Sequence, residues 1–238
     1  MVDNRQIIFE NKDLFALYKP HGEHTLSSSN SQEDKSLCLY RLDECTSGIL
    51  VYAKSQKIYD YLKELQKENK IVKTYRAFTN ANSALLAPNA VIDEYRKQLL
   101  KSINKYNPLI IGTYFRPFGK NRRAVRAVFD EELKILKNKD ITKNKYYSTI
   151  LEVKEISAGS KLTEFKVEIT KGFRHQIRVH LATLGFPIVG DTMYGYHNQI
   201  DVYTHSISLE CIEISIGDTK ISYNENADNV INNNTTGK

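Results

Sequence analysis

Short apolar and aromatic runs separated by turn residues recur along most of this chain, and they constrain its fold more than any other feature. Such runs predict β-strands, because β-branched and aromatic side chains suit a pleated sheet. The short connections favour antiparallel pairing of consecutive strands, so we expect a mixed, largely antiparallel central sheet. The predicted strands cover residues 7–9, 14–18, 49–53, 74–79, 109–111, 124–128, 147–153, 165–169, 202–209 and 211–216.

Two segments instead have the apolar spacing of an amphipathic helix, residues 58–69 and 176–184. The second is expected to end before Gly185, since glycine readily takes the positive φ that follows many helices. Helices that flank a sheet of this kind define an α+β fold class. The expected buried stripe of the second helix consists of Ile177, Leu181 and Leu184.

A single carboxylate lies at a turn between two apolar runs. Asp43 stands in the stretch from Tyr40 to Gly48, which reads Y-R-L-D-E-C-T-S-G. The Thr-Ser-Gly triplet supplies turn chemistry, since short hydroxyls bond backbone amides and glycine tolerates a positive φ. A carboxylate held at the tip of a strand–turn unit, with Arg41 beside it, suits a nucleophile or general base. An aspartate that only stabilises its own turn would have the same local sequence.

A longer motif lies in the second half of the chain. Residues 171–181 read K-G-F-R-H-Q-I-R-V-H-L, and residues 182–195 continue A-T-L-G-F-P-I-V-G-D-T-M-Y-G. Together with the Asp43 stretch, this motif resembles the RluA-type RNA pseudouridine synthases. That family carries H-R-L-D-x-x-T-S-G and, downstream, G-R-x-H-Q-I-R-x-H-L-x-x-x-G-x-P-I-x-G-D-x-x-Y-G. The resemblance implies the pseudouridine synthase fold, with a catalytic cleft across the sheet.

The resemblance runs from about residue 8 to about residue 216 and so implies one catalytic unit. We expect residues 1–222 to form a single catalytic domain without the S4 module that many relatives carry. Residues 223–238 are rich in asparagine and are expected to be a disordered tail. Residues 26–36 read as a mobile loop, and residues 85–118 show little pattern apart from the short strand predicted within them.

The resemblance also implies the chemistry. Pseudouridine formation breaks the glycosidic bond of a uridine, turns the base and rejoins it through carbon, without a cofactor or a metal. It needs an ionised carboxylate at the junction of sugar and base, as in glycoside hydrolysis. The family motif assigns that role to Asp43, as nucleophile or as base. It assigns Arg178 to keep the carboxylate ionised, and it places Tyr75, of the K-x-Y signature, against the flipped uracil.

Further residues are expected to bind RNA. Arg41 matches the family arginine beside the aspartate and would contact the backbone or fill the gap left by the extruded base. On a helix, Arg174, His175 and Arg178 would lie on one face, opposite the buried stripe. The predicted RNA-binding residues are Arg41, Lys73, Arg116, Arg122, Arg123, Arg174 and His175.

The distribution of charge agrees with an RNA partner. Residues 96–129 contain no Asp or Glu, and their Lys and Arg residues alternate with aromatic ones, as on a surface that faces a polyanion. A basic solvated loop would have the same composition. The net charge is +6, with a sequence pI near 9.0. We expect ribosomal or transfer RNA as the partner, no obligatory protein partner, and a monomer.

Other sequence features restrict the class of protein. The three cysteines have neither metal-ligand spacing nor the pairing of a disulfide framework, so free thiols are expected. No apolar stretch reaches membrane-spanning length, and a signal-peptide pattern is missing, so we expect a cytoplasmic protein. His175 and His180 are five residues apart on a predicted helix, so their rings diverge and no metal site is expected.

Three positions depart from the family pattern. Tyr40 replaces a histidine, Phe173 replaces an arginine, and Arg174 replaces a threonine or lysine. Since Asp43, Tyr75 and Arg178 are all present, the leading hypothesis is a stand-alone RNA pseudouridine synthase. The departures also fit a non-catalytic RNA-binding or RNA-folding protein on the same scaffold. A hydrolytic glycosidase is a weaker third hypothesis, because such enzymes generally use two carboxylates.

Overall fold

The computed structural model of the protein describes residues 6–25, 37–80, 90–102, 108–133, 145–156, 162–195 and 207–223. The predicted loop at 26–36 and all but the last three residues of the strand predicted at 202–209 lie outside these ranges, as do residues 224–238. Tyr223 lies within them, and its ring centroid is 4.2 Å from that of Tyr18.

Ten strands form one sheet in the order β1-β2-β3-β9-β4-β8-β7-β5-β6, with β10 paired to β9. Of the described strand pairs, β3 with β9 is parallel and the others are antiparallel. The prediction of an α+β fold with a mixed, largely antiparallel sheet is confirmed. The strands are β1 Ile7–Glu10, β2 Leu14–Lys19, β3 Ser47–Ala53, β4 Ile71–Asn80, β5 Leu109–Phe118, β6 Ala124–Val128, β7 Tyr147–Ile156, β8 Leu162–Ile169, β9 Leu209–Ile216 and β10 Thr219–Ser222.

Four α-helices accompany the sheet in the described ranges: α1 Gln56–Lys67, α2 Ala90–Ser102, α3 Asp130–Leu133 and α4 Gln176–Thr183. Ser55 is the N-cap of α1, because its side chain accepts a hydrogen bond from the backbone N–H of Ile58. Both predicted helices are present, and Gly185 has the expected positive φ of 78° just beyond α4.

The segment without a clear pattern contains two elements that the sequence did not reveal. Helix α2 packs mainly through Leu99 and through Tyr95, whose ring lies 5.8 Å from that of Phe129. Strand β5 has ten residues instead of the three predicted. Its first half pairs with β7 and its second half with β6, so pairing on both sides overrides the poor strand propensity of Gly112 and Pro117.

The end of the domain also differs from the prediction. Strands were expected at 202–209 and 211–216; most of the first lies outside the described ranges, and β9 (Leu209–Ile216) continues through Glu210 instead of starting after it. The carboxylate of Glu210 accepts hydrogen bonds from Arg76 and from the Tyr18 hydroxyl, which holds a charged residue inside a strand. Strand β10 was not predicted.

The two faces of the central sheet differ in chemistry. On one face, charged side chains form ion pairs; Arg76 on β4, for example, pairs with Glu210 directly opposite it on β9. On the other face, Tyr75 pairs with Val167 and Cys211 and is buried. Helix α4 covers part of this apolar face. The ion pairs of the first face are Lys154–Glu152, Lys166–Glu168, Arg76–Glu210 and Lys220–Glu213.

Helix α4 is joined to the sheet by a buried histidine. The two ring nitrogens of His180 lie 2.7 Å from Thr149 Oγ1 and 2.9 Å from Thr113 Oγ1, on β7 and β5. Burial lowers the pKa of His180 to about 3, so the folded protein keeps this ring neutral. His180 is therefore a packed, hydrogen-bonded core residue.

We expect the free energy of unfolding to fall as the pH drops below about 6.5. The unfolded chain protonates His180 near its ordinary pKa of about 6.5, while the folded protein does so only near 3. Acid therefore favours the unfolded chain, by up to about 1.4 kcal/mol per pH unit between these values. Urea unfolding between about pH 5 and about pH 7.5 measures the slope. His180→Gln should reduce this slope, and an unchanged slope would contradict the assignment.

Candidate active site

The loop that carries Asp43 is anchored by a buried lysine. The ammonium group of Lys19, at the end of β2, donates to the backbone oxygens of Pro20 (2.9 Å), Glu23 (2.8 Å) and Glu44 (3.1 Å). The side chain is fully buried, and these carbonyl groups supply an acceptor for each of its three donors. Lys19 thus fixes the backbone beside Asp43.

The two flanks of the loop are fixed as well. The hydroxyl of Thr25 donates to the backbone oxygen of Leu42 and accepts from its N–H, at 2.9 and 3.0 Å. Beyond the turn, Gly48 has a φ of 119°, and a Cβ there would lie 2.3 Å from the backbone oxygen of Cys211. Only glycine permits this close parallel pairing of β3 with β9. The sequence-based reading of Gly48 as a positive-φ residue is therefore correct.

Arg178 connects Asp43 to a second, buried carboxylate. Its Nε and Nη2 atoms donate to the two oxygens of Asp191 at 2.7 and 2.8 Å, a bidentate pair. Its Nη1 atom donates to Oδ2 of Asp43 at 3.4 Å. Burial disfavours the charged guanidinium, but the bonds and charge of Asp191 outweigh this effect and raise the pKa of Arg178. The guanidinium therefore remains charged next to Asp43.

The position of Arg178 corrects one prediction. Arg174, His175 and Arg178 were expected on one helical face opposite the buried stripe, but α4 begins only at Gln176. His175 precedes it with a positive φ of 59°, and Arg174 is exposed outside the helix. Arg178 is only 6% exposed, because α4 is enclosed on nearly all sides. The predicted polar face is therefore an internal one.

A second nitrogen faces the same oxygen of Asp43. His175 Nε2 lies 3.9 Å from Asp43 Oδ2, and its Nδ1 lies 2.8 Å from the Tyr194 hydroxyl. Burial lowers the pKa of His175, and the charge of Asp43 offsets this only in part. Among the described residues, the side-chain contacts of Arg178 and His175 with Asp43 both involve Oδ2. The side chain of Asp43 is 27% exposed. No side-chain hydrogen bond or ion pair from the described residues reaches Oδ1.

Tyr75 lies near this carboxylate, whereas Lys73 lies away from it. Burial raises the pKa of Tyr75, with a smaller contribution from Asp43, so the phenol stays protonated. Lys73 is 3% exposed, and its ammonium lies 5.0 Å from the ring centroid of Tyr40. Burial lowers the pKa of Lys73 to about 8. The Tyr40 hydroxyl in turn donates to the backbone oxygen of Ile49 at 2.7 Å, so this departure from the family pattern is an internal contact.

The other predicted RNA-binding residues lie on the outside of the protein. Arg41, Arg122, Arg123 and Arg174 are exposed, and Arg116 is half-buried. Arg174 donates to the backbone oxygen of Arg122 at 2.8 Å, which brings the tip of the β5–β6 hairpin to the start of α4. The structure thus brings Arg122 and Arg174 together beside His175, whose ring faces Asp43.

Phe173, the second departure, belongs to an aromatic cluster under the start of α4. Its ring stacks on Phe115 with centroids 4.9 Å apart and lies 5.2 Å from that of Tyr147. Phe115 also stacks on His180. Phe173 therefore contributes core packing at a position where the family pattern has a charged arginine.

Two contributors to the site were not assigned by sequence reasoning: Asp191 and Tyr194. Asp191 and Tyr194 stand at the fixed positions of the G-D-x-x-Y-G stretch, which was the available signal. Asp191 also accepts the backbone N–H groups of Met193 and Tyr194 at 3.0 and 3.2 Å, so it shapes the turn that presents Tyr194.

The described residues lack two features of other functional classes, a metal-binding cluster and a membrane-spanning helix. Within these ranges, no group of three or more His, Cys, Asp or Glu side chains is placed to hold a metal ion. None of the described helices is long and apolar enough to cross a membrane. The three cysteines are free thiols, as predicted.

Comparison with known proteins gives consistent matches. Residues 13–183 match the family model described as RNA pseudouridylate synthase. An uncharacterized RNA pseudouridine synthase of Helicobacter pylori is 27% identical over 214 residues, covering 87% of this chain and 72% of the relative. Ribosomal large subunit pseudouridine synthase C of Buchnera aphidicola is 29% identical over 208 residues, covering 82% of this chain and 55% of the relative. The fold is similar to that of human RNA pseudouridylate synthase domain containing 1, with a TM-score of 0.67 and 20% identity over 94% of this chain and 85% of that one.

We expect Asp191→Asn to destabilise the protein by about 3–5 kcal/mol, because it leaves the buried guanidinium of Arg178 without its counter-charge. Glu168→Gln is the matched control, since it breaks an ion pair whose side chains are 36% and 30% exposed. That change should cost less than about 1 kcal/mol. Urea unfolding of both variants at neutral pH measures the difference. Equal effects would contradict the central role given to the Arg178–Asp191 pair.

Proposed function

This chain belongs to the RNA pseudouridylate synthase family, RluA type, and is an RNA pseudouridine synthase; we propose that it acts on a uridine of a structured ribosomal or transfer RNA, with Asp43 as the catalytic carboxylate. The observation that carries the proposal is the contact between Asp43 and Arg178, 3.4 Å long, beside the buried Arg178–Asp191 pair. A guanidinium there favours the ionised carboxylate. It also occupies Oδ2 and leaves Oδ1 for the substrate.

The reaction follows from an ionised carboxylate at the sugar–base junction. Asp43 either attacks the anomeric carbon or removes a proton from the sugar, and both routes begin from the charged form. The glycosidic bond breaks with its electron pair on the base nitrogen. The base turns, and a bond forms between its C5 and the anomeric carbon as the bond to Asp43 breaks or the sugar regains its proton. C5 then loses its proton, and the base nitrogen gains one. The product is an isomer of the substrate, so the proposed reaction consumes no cofactor or redox equivalent.

Tyr75 is proposed to pack against the uracil in the cleft. Its ring lies on the apolar face of the sheet, and its phenol remains protonated because burial raises its pKa. A protonated phenol can donate a hydrogen bond to a base oxygen but cannot serve as a strong base at neutral pH. The proposed role of Tyr75 is therefore positioning of the base through contact and hydrogen bonding.

RNA is proposed to bind on the face of the protein that exposes Arg41, Arg122 and Arg123. These three arginines are exposed, and Arg and Lys side chains are the usual partners of RNA phosphates. The buried ammonium of Lys73 is left out of this surface, since it packs against Tyr40. Phosphate contacts of this kind weaken steeply with added salt.

One chain supplies every group in the proposed mechanism, which supports a catalytic domain that acts as a monomer. Asp43 comes from the segment between β2 and β3, Tyr75 from β4 and Arg178 from α4, all in the same chain. We propose that they belong to a single catalytic domain that extends to residue 222. A cytoplasmic location remains a prediction of the sequence.

The competing functions fit the site less well. A hydrolytic glycosidase needs a second carboxylate that can exchange protons with the substrate. Asp191 is the nearest candidate by its contact with Arg178, but its side chain is fully buried and held by that arginine. For a purely binding protein, nothing requires a half-buried carboxylate that an arginine donor contacts and an imidazole nitrogen faces. The Phe173 departure, moreover, lies in the aromatic cluster and does not remove a donor to Asp43.

We expect Asp43→Asn to lower the rate of pseudouridine formation by about 10³-fold or more, the scale seen when a nucleophile is removed. RNA affinity should change by less than about threefold, since phosphate contacts dominate binding. The assay measures tritium release from [5-³H]uridine-labelled RNA isolated from cells that lack this gene. Glu44→Gln is the matched control, because it changes the adjacent, exposed carboxylate. Loss of affinity with an intact rate would contradict the role of Asp43.

A further inference from the structure

The β5–β6 hairpin makes two hydrogen bonds to the segments that flank α4, one to Arg174 before the helix and one to Tyr194 beyond it. Arg174 Nη2 donates to the backbone oxygen of Arg122 at the hairpin tip, at 2.8 Å. The backbone N–H of Val125, just after the tip, donates to the hydroxyl oxygen of Tyr194 at 2.9 Å. A hairpin that carries exposed arginines is thereby joined to the residues around Asp43.

The hydrogen bonds of Tyr194 determine the tautomer of His175. The Tyr194 oxygen already accepts the N–H of Val125, so its own proton needs an acceptor. Within the described ranges, the acceptor at hydrogen-bond distance is Nδ1 of His175, 2.8 Å away. Tyr194 therefore donates to Nδ1, and the neutral imidazole carries its proton on Nε2.

This tautomer directs a donor at the catalytic carboxylate. Nε2 of His175 lies 3.9 Å from Oδ2 of Asp43, the oxygen that Arg178 also contacts. An approach of about 1 Å would complete a hydrogen bond. The backbone of His175 has a left-handed conformation, with a φ of 59°. Non-glycine residues rarely adopt this conformation unless their surroundings impose it. Tyr194 contributes to those surroundings, since the two rings pack edge to face at 5.6 Å.

We propose that Tyr194 is a positioning residue for the isomerisation. Its hydroxyl fixes the His175 tautomer that presents Nε2–H to Asp43, and the same oxygen ties this arrangement to the β5–β6 hairpin. RNA phosphates seated on the exposed hairpin side chains, among them Lys120 and Arg123, would thus set the donors around the carboxylate. The inference rests on the proposed function, because it assumes that Asp43 is the catalytic group.

The charges around His175 define how the arrangement responds to pH. Asp43 and Asp191 favour the protonated ring, whereas burial, Arg174 and Arg178 favour the neutral one. The hydrogen bond from Tyr194 also favours the neutral ring, because only the neutral form has a lone pair on Nδ1. Without that hydroxyl, His175 gains a proton at a higher pH. The resulting imidazolium would form an ion pair with the Asp43 carboxylate and lower the reactivity of that carboxylate.

The test uses Tyr194→Phe, with Tyr147→Phe as the matched control. Tyr147 lies in the neighbouring aromatic cluster, and its hydroxyl makes no hydrogen bond to a described residue. Single-turnover rates on the [5-³H]uridine-labelled RNA, measured across pH, give the rate and its acid limb, and filter binding gives the Kd. We expect Tyr194→Phe to lose about tenfold or more in rate, with a Kd within about threefold of wild type. Its acid limb should lie at higher pH.

Two results would overturn the inference. One is a Tyr194→Phe variant that behaves like Tyr147→Phe. The other is a loss of rate that is equal at every pH, which would mark a structural role alone. If the wild type releases no tritium from this RNA, the proposed function fails instead, which the same assay distinguishes.

A measurement on the wild-type protein covers the case in which Tyr194→Phe does not fold. Nitrogen-15 chemical shifts of the histidine rings distinguish the two neutral tautomers, and His175→Gln identifies the signals of His175. The inference requires the Nε2–H tautomer at neutral pH. An Nδ1–H tautomer would overturn it whether or not the enzyme is active.

Discussion

The ion pair between Arg178 and Asp191 fixes the position of the guanidinium that faces Asp43. A planar guanidinium can satisfy a carboxylate with two parallel hydrogen bonds and still direct a third donor elsewhere. Here the first two bonds go to Asp191 inside the protein, and the third group, Nη1, points at Asp43. The buried pair costs desolvation, so its value lies in fixed geometry more than in stability. The contact from Nη1 to Asp43 joins two parts of the chain that are 135 residues apart.

The sheet brings these parts together, and internal hydrogen bonds make the arrangement rigid. Gly48 lets β3 approach β9 closely enough to pair in parallel, which sets where the Asp43 loop begins. Lys19 fixes the carbonyl of Glu44 beside the carboxylate. On the other side, His180 joins α4 to β5 and β7 through two threonine hydroxyls. A rigid loop on one side and a rigid helix on the other hold Asp43 and Arg178 at contact distance, which favours a preorganised carboxylate.

Much of the fold could be predicted because most of its strands are short apolar and aromatic runs between turn residues. Asp43 could be predicted because it stands beside a Thr-Ser-Gly turn. The segment at 90–118 could not, since α2 buries few side chains and β5 depends on partners on both of its sides. The environment of α4 was also misjudged, because an arginine in a helix is usually exposed and here it is paired internally. The roles of Asp191 and Tyr194 depend on distances to residues far away in sequence, and no local pattern reports those distances.

The central claim is that this chain isomerises uridine in RNA with Asp43 as the catalytic carboxylate. The most direct test is a map of pseudouridine across all RNA from cells that lack the gene, with wild type and Asp43→Asn restored in parallel. The account predicts that one or more positions in ribosomal or transfer RNA lose pseudouridine and regain it only with the wild-type chain. Positions that return equally with Asp43→Asn, or a map that does not change, would contradict it.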